Sequence, residues 1–308
     1  KFYIVAENLV ESNFKTDYLV VDKISGSDLS RDFRYQNIFN MIEADYMIHS
    51  ADYITDSSGT GIVHLAPMFG DEDFKTMKLN DLPIFLDKHL CFLKDFSMIE
   101  MPAGTFLLDT EIPVIKYLAK NGLLFSKRKI THSYPMCWRT DTKLVYYANS
   151  AWFLNVTKIK EQLIENVKKI NWHPHEVAEK RFNNWISNSI DWCLSRNRVW
   201  GTPLPILISM DNNEDYMVLK NKQHLEELIG YKVSDLHLDT VRDLEIEFNG
   251  AKWKFMGDVF DCWYESGMSC VVKQPDPEKF EPFDFITESL DQTRGWFYTL
   301  HVIGTLVF

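Results

Sequence analysis

The chain contains no run of apolar residues near the roughly 20 that a bilayer crossing needs. Nothing in it therefore reads as a membrane span. Its first residues, KFYIVAENLV, lack the charged, apolar and cleavage-site layout of a signal peptide, so the expected location is the cytoplasm. Cysteine is scarce: five in 308 residues, an odd number without close pairing. That excludes a disulfide scaffold and suits a reducing compartment. Cations are outnumbered, with 33 Lys and Arg against 44 Asp and Glu and a formal charge of -11. A basic coat of the kind that neutralises phosphates is excluded, although a local basic track is not. There is no G-x-S-x-G nucleophile elbow, no repeat and no low-complexity tract.

What is present is material for cores. Hydrophobic residues make up 45% and aromatics 14% of the chain, and its length leaves room for two domains. The most informative stretch is SSGTGIVHLAPMFGDEDF, residues 57–74. Gly59 and Gly61 flank Thr60 in what reads as a tight turn with positive φ. The apolar run Ile62-Val63-His64-Leu65 then reads as a buried strand that Pro67 brings to an end. Gly70 opens an acidic tip of Asp71, Glu72 and Asp73. One imidazole and up to three carboxylates thus gather at a strand exit, where chemistry often collects. A phosphate loop fits poorly, because its glycines follow a strand and precede a helix. A metal site lacks the second imidazole or thiol usual for zinc. On residues alone, a satisfied core histidine beside a solvated acidic loop stays in contention with any functional reading.

Elsewhere the pattern predicts strands over 46–54 and 82–86, and a short helix ending over 76–79. A helix over 112–124 stops at Asn121-Gly122. Lys127, Arg128 and Lys129 form the densest basic run, read as a solvated loop or an RNA contact. A domain boundary falls over 149–153. Ile159, Leu163, Ile164 and Val167 mark an amphipathic helix over 158–170. Ala178, Phe182, Trp185 and Ile190 mark a second over 177–190. A strand over 205–209, a hairpin tip at DNNED and a helix over 221–229 follow. Near the end, 285–287 reads as strand, Glu288, Asp291, Gln292 and Arg294 occupy a polar turn, and a helix runs from Gly295. Strand, polar turn and helix make the layout of a ligand crevice on a parallel sheet; an acid-capped helix start is the plainer reading.

Several stretches resemble one family. GTGIVHLAPMFGDEDF is similar to the editing signature of the large class I aminoacyl-tRNA synthetases for isoleucine, valine and leucine, G-T-G-x-V-H-x-A-P followed by a Gly and an acidic pair. HSYPMCWR, DWCLSRNRVWGTPLPI and DVFDCWYESGMS resemble later family motifs, in order. ESLDQTRGWFYTL is the most specific and looks like the eukaryotic-type enzymes for isoleucine, with Thr293 where many bacterial ones carry His.

The resemblance implies an α/β fold: a doubly wound, Rossmann-type nucleotide-binding domain interrupted by a mixed α/β editing domain. Residues 1–149 would be the editing domain without its first part, and 150–308 the second half of the catalytic domain. The implied activity is ATP-dependent activation of isoleucine and its transfer to tRNA, with hydrolysis of misacylated Val-tRNA. Enzymes for valine or leucine, a stand-alone ester hydrolase and a non-catalytic RNA-binding module are the alternatives. Carried over by position, Asp73 would hold the α-amino group of the amino acid to be edited and His64 would bound its side-chain pocket. Trp263 and Trp296 would wall the isoleucine side chain, while Glu288, Asp291 and Gln292 would contact the aminoacyl-adenylate. Arg196 and Arg198, with Trp200, would meet the RNA end or another domain, and Lys127 and Arg128 would add to an RNA track.

ATP with Mg2+ would be the co-substrate. Zinc is not expected, because Thr140 stands where some members carry a second Cys after Cys137. The implied partners are tRNA for isoleucine, isoleucine, ATP and a multi-synthetase assembly, with no membrane. A threonine-rich editing segment and the H-I-G-H element are expected before Lys1, and K-M-S-K-S after Phe308. His301-Val302-Ile303-Gly304 lies after the other motifs, lacks the second His and does not count as H-I-G-H.

Overall fold

A computed structural model describes residues 1–39, 46–77, 85–87, 89–212, 214–272 and 281–308. The chain divides into two compact units, Lys1–Asn149 and Ser150–Phe308. Helices occur in both, but every named strand lies within residues 153–260, so among the described residues the first unit has only isolated bridges where a mixed α/β domain was expected.

The first unit has a small core. Phe96, Ile99 and Met101 are buried, and Val114 and Tyr117 of the Glu111–Lys120 helix pack on them. That helix ends where Gly122 takes φ 66, a left-handed value that favours glycine. The Asp71–Met77 helix starts directly after Gly70 and carries all three acids of the expected tip in its first turn. Carboxylates there meet the positive end of the helix dipole, so the loop predicted from the sequence is a helix start.

Other expectations for this unit change. The run 62–65 joins no sheet, and Ile62 and Val63 are 45% and 58% exposed. An apolar run becomes a buried strand only where neighbours supply both a ladder and a covering layer, and here neither is formed. Of 46–54, only Met47 forms a bridge, antiparallel to Arg34. The expected strand over 82–86 lies mostly outside the described residues, with buried Leu86 bridging Phe92. The helix expected over 76–79 is described as far as Met77.

The second unit has two cores. In one, Leu163 and Val167 of the Lys160–Val167 helix meet Ala178, Phe182 and Ile186, together with Tyr298 and Val302 of the Trp296–Val307 helix. Each fully buried side chain of this size contributes about 1.5–3 kcal/mol. The segment Val177–Phe182 is wound as a π-helix, and Asn183–Ser187 continues as α-helix. The helix stops at Ser187, so Ile190 falls outside the stripe and is 80% exposed, while Ile186 takes the buried place.

The second core lies beneath an antiparallel sheet in the order β5-β4-β7-β6, made of β4 (Ile206–Ser209), β5 (Tyr216–Val218), β6 (Ile246–Phe248) and β7 (Ala251–Phe255). β4 and β5 pair antiparallel, Ile208 opposite Tyr216, on either side of the hairpin tip expected at DNNED, of which Asn213 lies outside the described residues. Asn249 and Gly250, at φ 52 and 76, form the two-residue turn between β6 and β7, a hairpin signal that can be read in the sequence. The Lys222–Ile229 helix closes this core with Leu225. Its cap is Asn221, whose side chain accepts from the His224 amide at 2.8 Å.

Two short pairs complete the unit. β1 (Phe153–Leu154) pairs with β2 (Trp192–Cys193), and β3 (Ser195–Arg196) with β8 (Val259–Phe260). Every named strand pair is antiparallel, so the doubly wound parallel sheet does not form among the described residues. The expected strand 285–287 has no ladder partner, and Phe285 is 78% exposed. In a parallel sheet both faces of a strand are covered, which is not its condition here. No helix among the described residues is long and apolar enough to cross a membrane.

Candidate functional site

Two helix starts of the second unit meet at the candidate cleft. The Cys262–Gly267 helix carries Trp263 just past its cap, Asp261. The 3-10 turn Leu290–Arg294 leads through Gly295 into the Trp296–Val307 helix. Gln292 links turn to helix: its Oε1 accepts from the Trp296 amide at 2.9 Å, and its Nε2 donates to Asp291 Oδ2 at 2.9 Å. The Trp296 indole donates to the Ser266 carbonyl at 3.0 Å and to Ser269 Oγ at 3.3 Å. Trp263 lies close over the backbone of Gly295. A Cβ there would stand 2.7 Å from Gln292 Oε1 and 3.1 Å from Trp263 Cη2, so any larger residue would have to push one or both side chains aside.

Trp263, Asp291, Gln292 and Trp296 are therefore brought together, and Glu288 stands exposed just before the turn. Two indoles supply an apolar wall, while a carboxylate and a carboxamide supply a polar rim. This chemistry suits a small amphiphile carrying an ammonium group. Thr293 is buried beneath, accepting from Arg181 Nε at 3.0 Å and donating to the Leu290 carbonyl at 2.8 Å, which holds the turn from below.

Sequence reasoning missed Asp261, which is 5% exposed. Its Oδ2 accepts from Trp192 Nε1 at 2.8 Å and pairs with an Arg196 guanidinium nitrogen at 3.0 Å. Arg196 also donates to the carbonyls of Cys193 and Ser195, at 2.8 and 2.9 Å. Three of its contacts thus lie inside the unit, while the side chain stays 37% exposed. The available signal was an Asp directly before an apolar helix start. Arg198 is exposed and donates to its neighbour's carbonyl, and exposed Trp200 stacks on His237 at 4.3 Å and 19°.

In the first unit, Asp73 is half-buried and held by two donors. The Tyr53 hydroxyl donates to Oδ1 and the Ala66 amide to Oδ2, each at 3.0 Å. Burial pushes the Tyr53 phenol up; a Thr76 side-chain contact opposes this, and the Asp73 and Glu72 carboxylates add to it. His64 is exposed and sets its ring edge-on to Tyr35 at 6.2 Å and 80°. No hydrogen bond joins His64 to Asp73, so the base-and-orienter pair of a hydrolase is not formed. Gly61, at φ 74, lets the turn press on Ala6: a Cβ would lie 2.5 Å from that of Ala6, whose amide donates to the Thr60 carbonyl at 2.9 Å.

Lys127 and Lys129 are exposed, and Arg128 donates to the Ser12 carbonyl at 3.1 Å. The Thr140 hydroxyl draws the Cys137 thiol below its ordinary range. Among the described residues no three His, Cys, Asp or Glu side chains gather to hold a metal.

The family description "tRNA synthetases class I (I, L, M and V)" matches residues 8–308. Isoleucine--tRNA ligase, cytoplasmic, of Saccharomyces cerevisiae is 41% identical across 100% of this chain and 31% of its own length. Isoleucine--tRNA ligase of Chlamydia abortus is 39% identical, over 94% of this chain and 29% of that protein. The probable cytoplasmic isoleucine--tRNA ligase of Dictyostelium discoideum is 38% identical, over 100% and 31%. The chain spans less than a third of the length of these relatives.

Proposed function

We propose a function for a chain that belongs to the class I tRNA synthetases of the isoleucine, leucine, methionine and valine group: it is part of an isoleucine–tRNA ligase, and its second unit holds the amino acid during activation. The observation that carries this is the cleft of Trp263, Gln292 and Trp296, drawn tight over Gly295. The names of the relatives favour isoleucine over valine or leucine. In this reading residues 150–308 belong to the nucleotide-binding catalytic domain and residues 1–149 to the editing domain. The cytoplasmic relatives suggest the same compartment.

Activation joins the isoleucine carboxylate to the α-phosphorus of ATP and releases pyrophosphate. The contribution of this chain is positioning. The indoles bury the aliphatic side chain, and the Asp291 carboxylate with the Gln292 amide orients the ammonium end and the adenylate. ATP and its Mg2+ enter as substrate, and no set of metal ligands among the described residues would serve as a resident site. Editing is assigned to the first unit. There Asp73, fixed by Tyr53 and Ala66, holds the ammonium of valine on misacylated tRNA, and His64 limits pocket size. Exposed Lys127, Arg128 and Arg198 are the proposed RNA contacts.

The test is pyrophosphate exchange by the full-length enzyme with isoleucine, valine and leucine in turn. Exchange that is strongest with isoleucine supports the reading. A preference for valine or leucine would transfer the chain to that specificity, and no exchange with any of them would remove the synthetase reading.

A further inference from the structure

Beside the cleft lies a charged cluster built on a buried carboxylate, which touches no part of the proposed substrate. The Asp261 side chain is 7% exposed, yet it meets four donors. Oδ1 faces the Trp263 amide at 3.4 Å and Cys262 Sγ at 3.7 Å; Oδ2 takes Trp192 Nε1 at 2.8 Å and Arg196 at 3.0 Å. Its own amide donates to the Leu194 carbonyl at 2.7 Å. A carboxylate removed from water requires such partners, because an uncompensated buried charge is strongly unfavourable.

The cluster ties three elements together. Asp261 caps the helix that begins with Cys262 and Trp263. Arg196 lies on β3, whose register sets it opposite Val259 of β8, and β8 runs directly into Asp261. Trp192 lies on β2 and packs at the edge of the first core. The capped helix then supplies the Ser266 carbonyl to the Trp296 indole. Both walls of the cleft therefore depend on one short helix, and that helix is held at its start by Asp261.

We infer that the Arg196–Asp261 pair is a positioning device for amino-acid selection: it sets the depth and tilt of Trp263, and through Ser266 those of Trp296, against the isoleucine side chain. The inference rests on the proposed function. It assigns Arg196 to the amino-acid cleft rather than to RNA. The geometry favours this because one terminal guanidinium nitrogen of Arg196 meets Asp261 and the other meets the Cys193 and Ser195 carbonyls, a planar arrangement that an ammonium group would not reproduce.

The experiment uses the full-length enzyme in pyrophosphate exchange, with KM measured separately for isoleucine and ATP, and with the change in tryptophan fluorescence on isoleucine binding as a second readout. Asp261→Asn keeps the shape but turns an NH2 toward donors and leaves Arg196 without its counter-charge. It should raise KM for isoleucine about tenfold or more, the scale of a lost charge-assisted contact, with KM for ATP within about twofold. Arg196→Lys should move the isoleucine KM in the same direction by roughly threefold. Both variants should show an altered fluorescence response to isoleucine. An unchanged isoleucine KM in a cooperatively melting variant overturns the inference. So does a parallel rise of both KM values that follows the loss of Tm, which marks a structural role alone. If Asp261→Asn does not fold, Arg196→Lys decides on the same two criteria. Parental enzyme without isoleucine-dependent exchange refutes the synthetase reading itself. Active parental enzyme with unaffected variants refutes the positioning role only.

Discussion

The indole nitrogen of Trp296 donates to the main-chain carbonyl of Ser266 at 3.0 Å, which fastens one wall of the second-unit cleft to the helix that bears the other, Trp263. Trp296→Ala should weaken isoleucine binding by roughly 2–4 kcal/mol, the scale of a lost aromatic contact. Trp296→Phe keeps a ring but frees the Ser266 carbonyl and should lose less. Pyrophosphate exchange should register both mainly in KM, and an unchanged KM in folded Trp296→Ala enzyme refutes the wall assignment.

Gly295→Ala tests the same cleft by filling it. The added methyl would stand 2.7 Å from Gln292 Oε1 and 3.1 Å from Trp263 Cη2. Overpacking of this kind costs about 1–3 kcal/mol. The variant should melt earlier and show a raised isoleucine KM. Parental values for both would mean that the ring and amide move aside freely.

Asp73→Ala should abolish hydrolysis of Val-tRNA for isoleucine while isoleucine activation continues, with a loss of ~1.5–3 kcal/mol or more for a charge-assisted contact. Tyr53→Phe removes the donor to Oδ1 and should cost about 1 kcal/mol in the same assay. Deacylation by Asp73→Ala at the parental rate would leave Asp73 a helix-start acid only.

His64 separates two editing mechanisms. Isoleucine against valine is the standard case of one-methylene discrimination, worth only ~1–3 kcal/mol in an apolar pocket, and the proposed editing pocket would be the second, smaller site that removes the error. If the imidazole is a steric stop, His64→Ala should begin to hydrolyse correctly charged Ile-tRNA. Loss of hydrolysis of both Ile-tRNA and Val-tRNA would instead favour a catalytic imidazole.

His301 gives a pH prediction. It lies in the Trp296–Val307 helix, its Nε2 is 2.8 Å from the Leu163 carbonyl, and burial lowers its pKa. Below the ordinary imidazole pKa of about 6.5, the unfolded chain binds a proton that the folded site resists. The unfolded state then holds more protons, so stability rises with pH through this window. The contribution is full above the unfolded pKa and is lost as pH falls toward and through the folded one. Urea midpoints at about pH 7.5 and about pH 5 should differ more for the parental protein than for His301→Gln. Equal differences would mean that other groups set the acid sensitivity.

The longer helices of this chain were legible from their own residues, whereas the short ones at Gly26–Asp32 and Cys262–Gly267, and the start of the one at Asp71–Met77, were not. The 3.6-residue spacing of Leu163 and Val167, the Asn221 cap and the Asn121-Gly122 stop are local signals, and local backbone preferences and a single apolar face suffice to act on them. The runs 62–65 and 285–287 read as strands in the sequence but form none, because apolar residues suit a strand equally well whether or not another strand lies beside them. The candidate residues Trp263, Asp291, Gln292 and Trp296 were legible through family resemblance, but their mutual contacts were not.

The sequence by itself determined the longer amphipathic helices, the two-unit length and composition, and the identity of the side chains available to the cleft, because these follow from periodicity, capping and residue chemistry over short spans. Tertiary structure alone decided that Arg196 turns inward to Asp261, that Trp263 lies on Gly295, and that Trp296 reaches Ser266. These contacts join residues about 30 to 65 positions apart, and no local preference encodes which distant donor a buried carboxylate or carbonyl will meet once packing has excluded water.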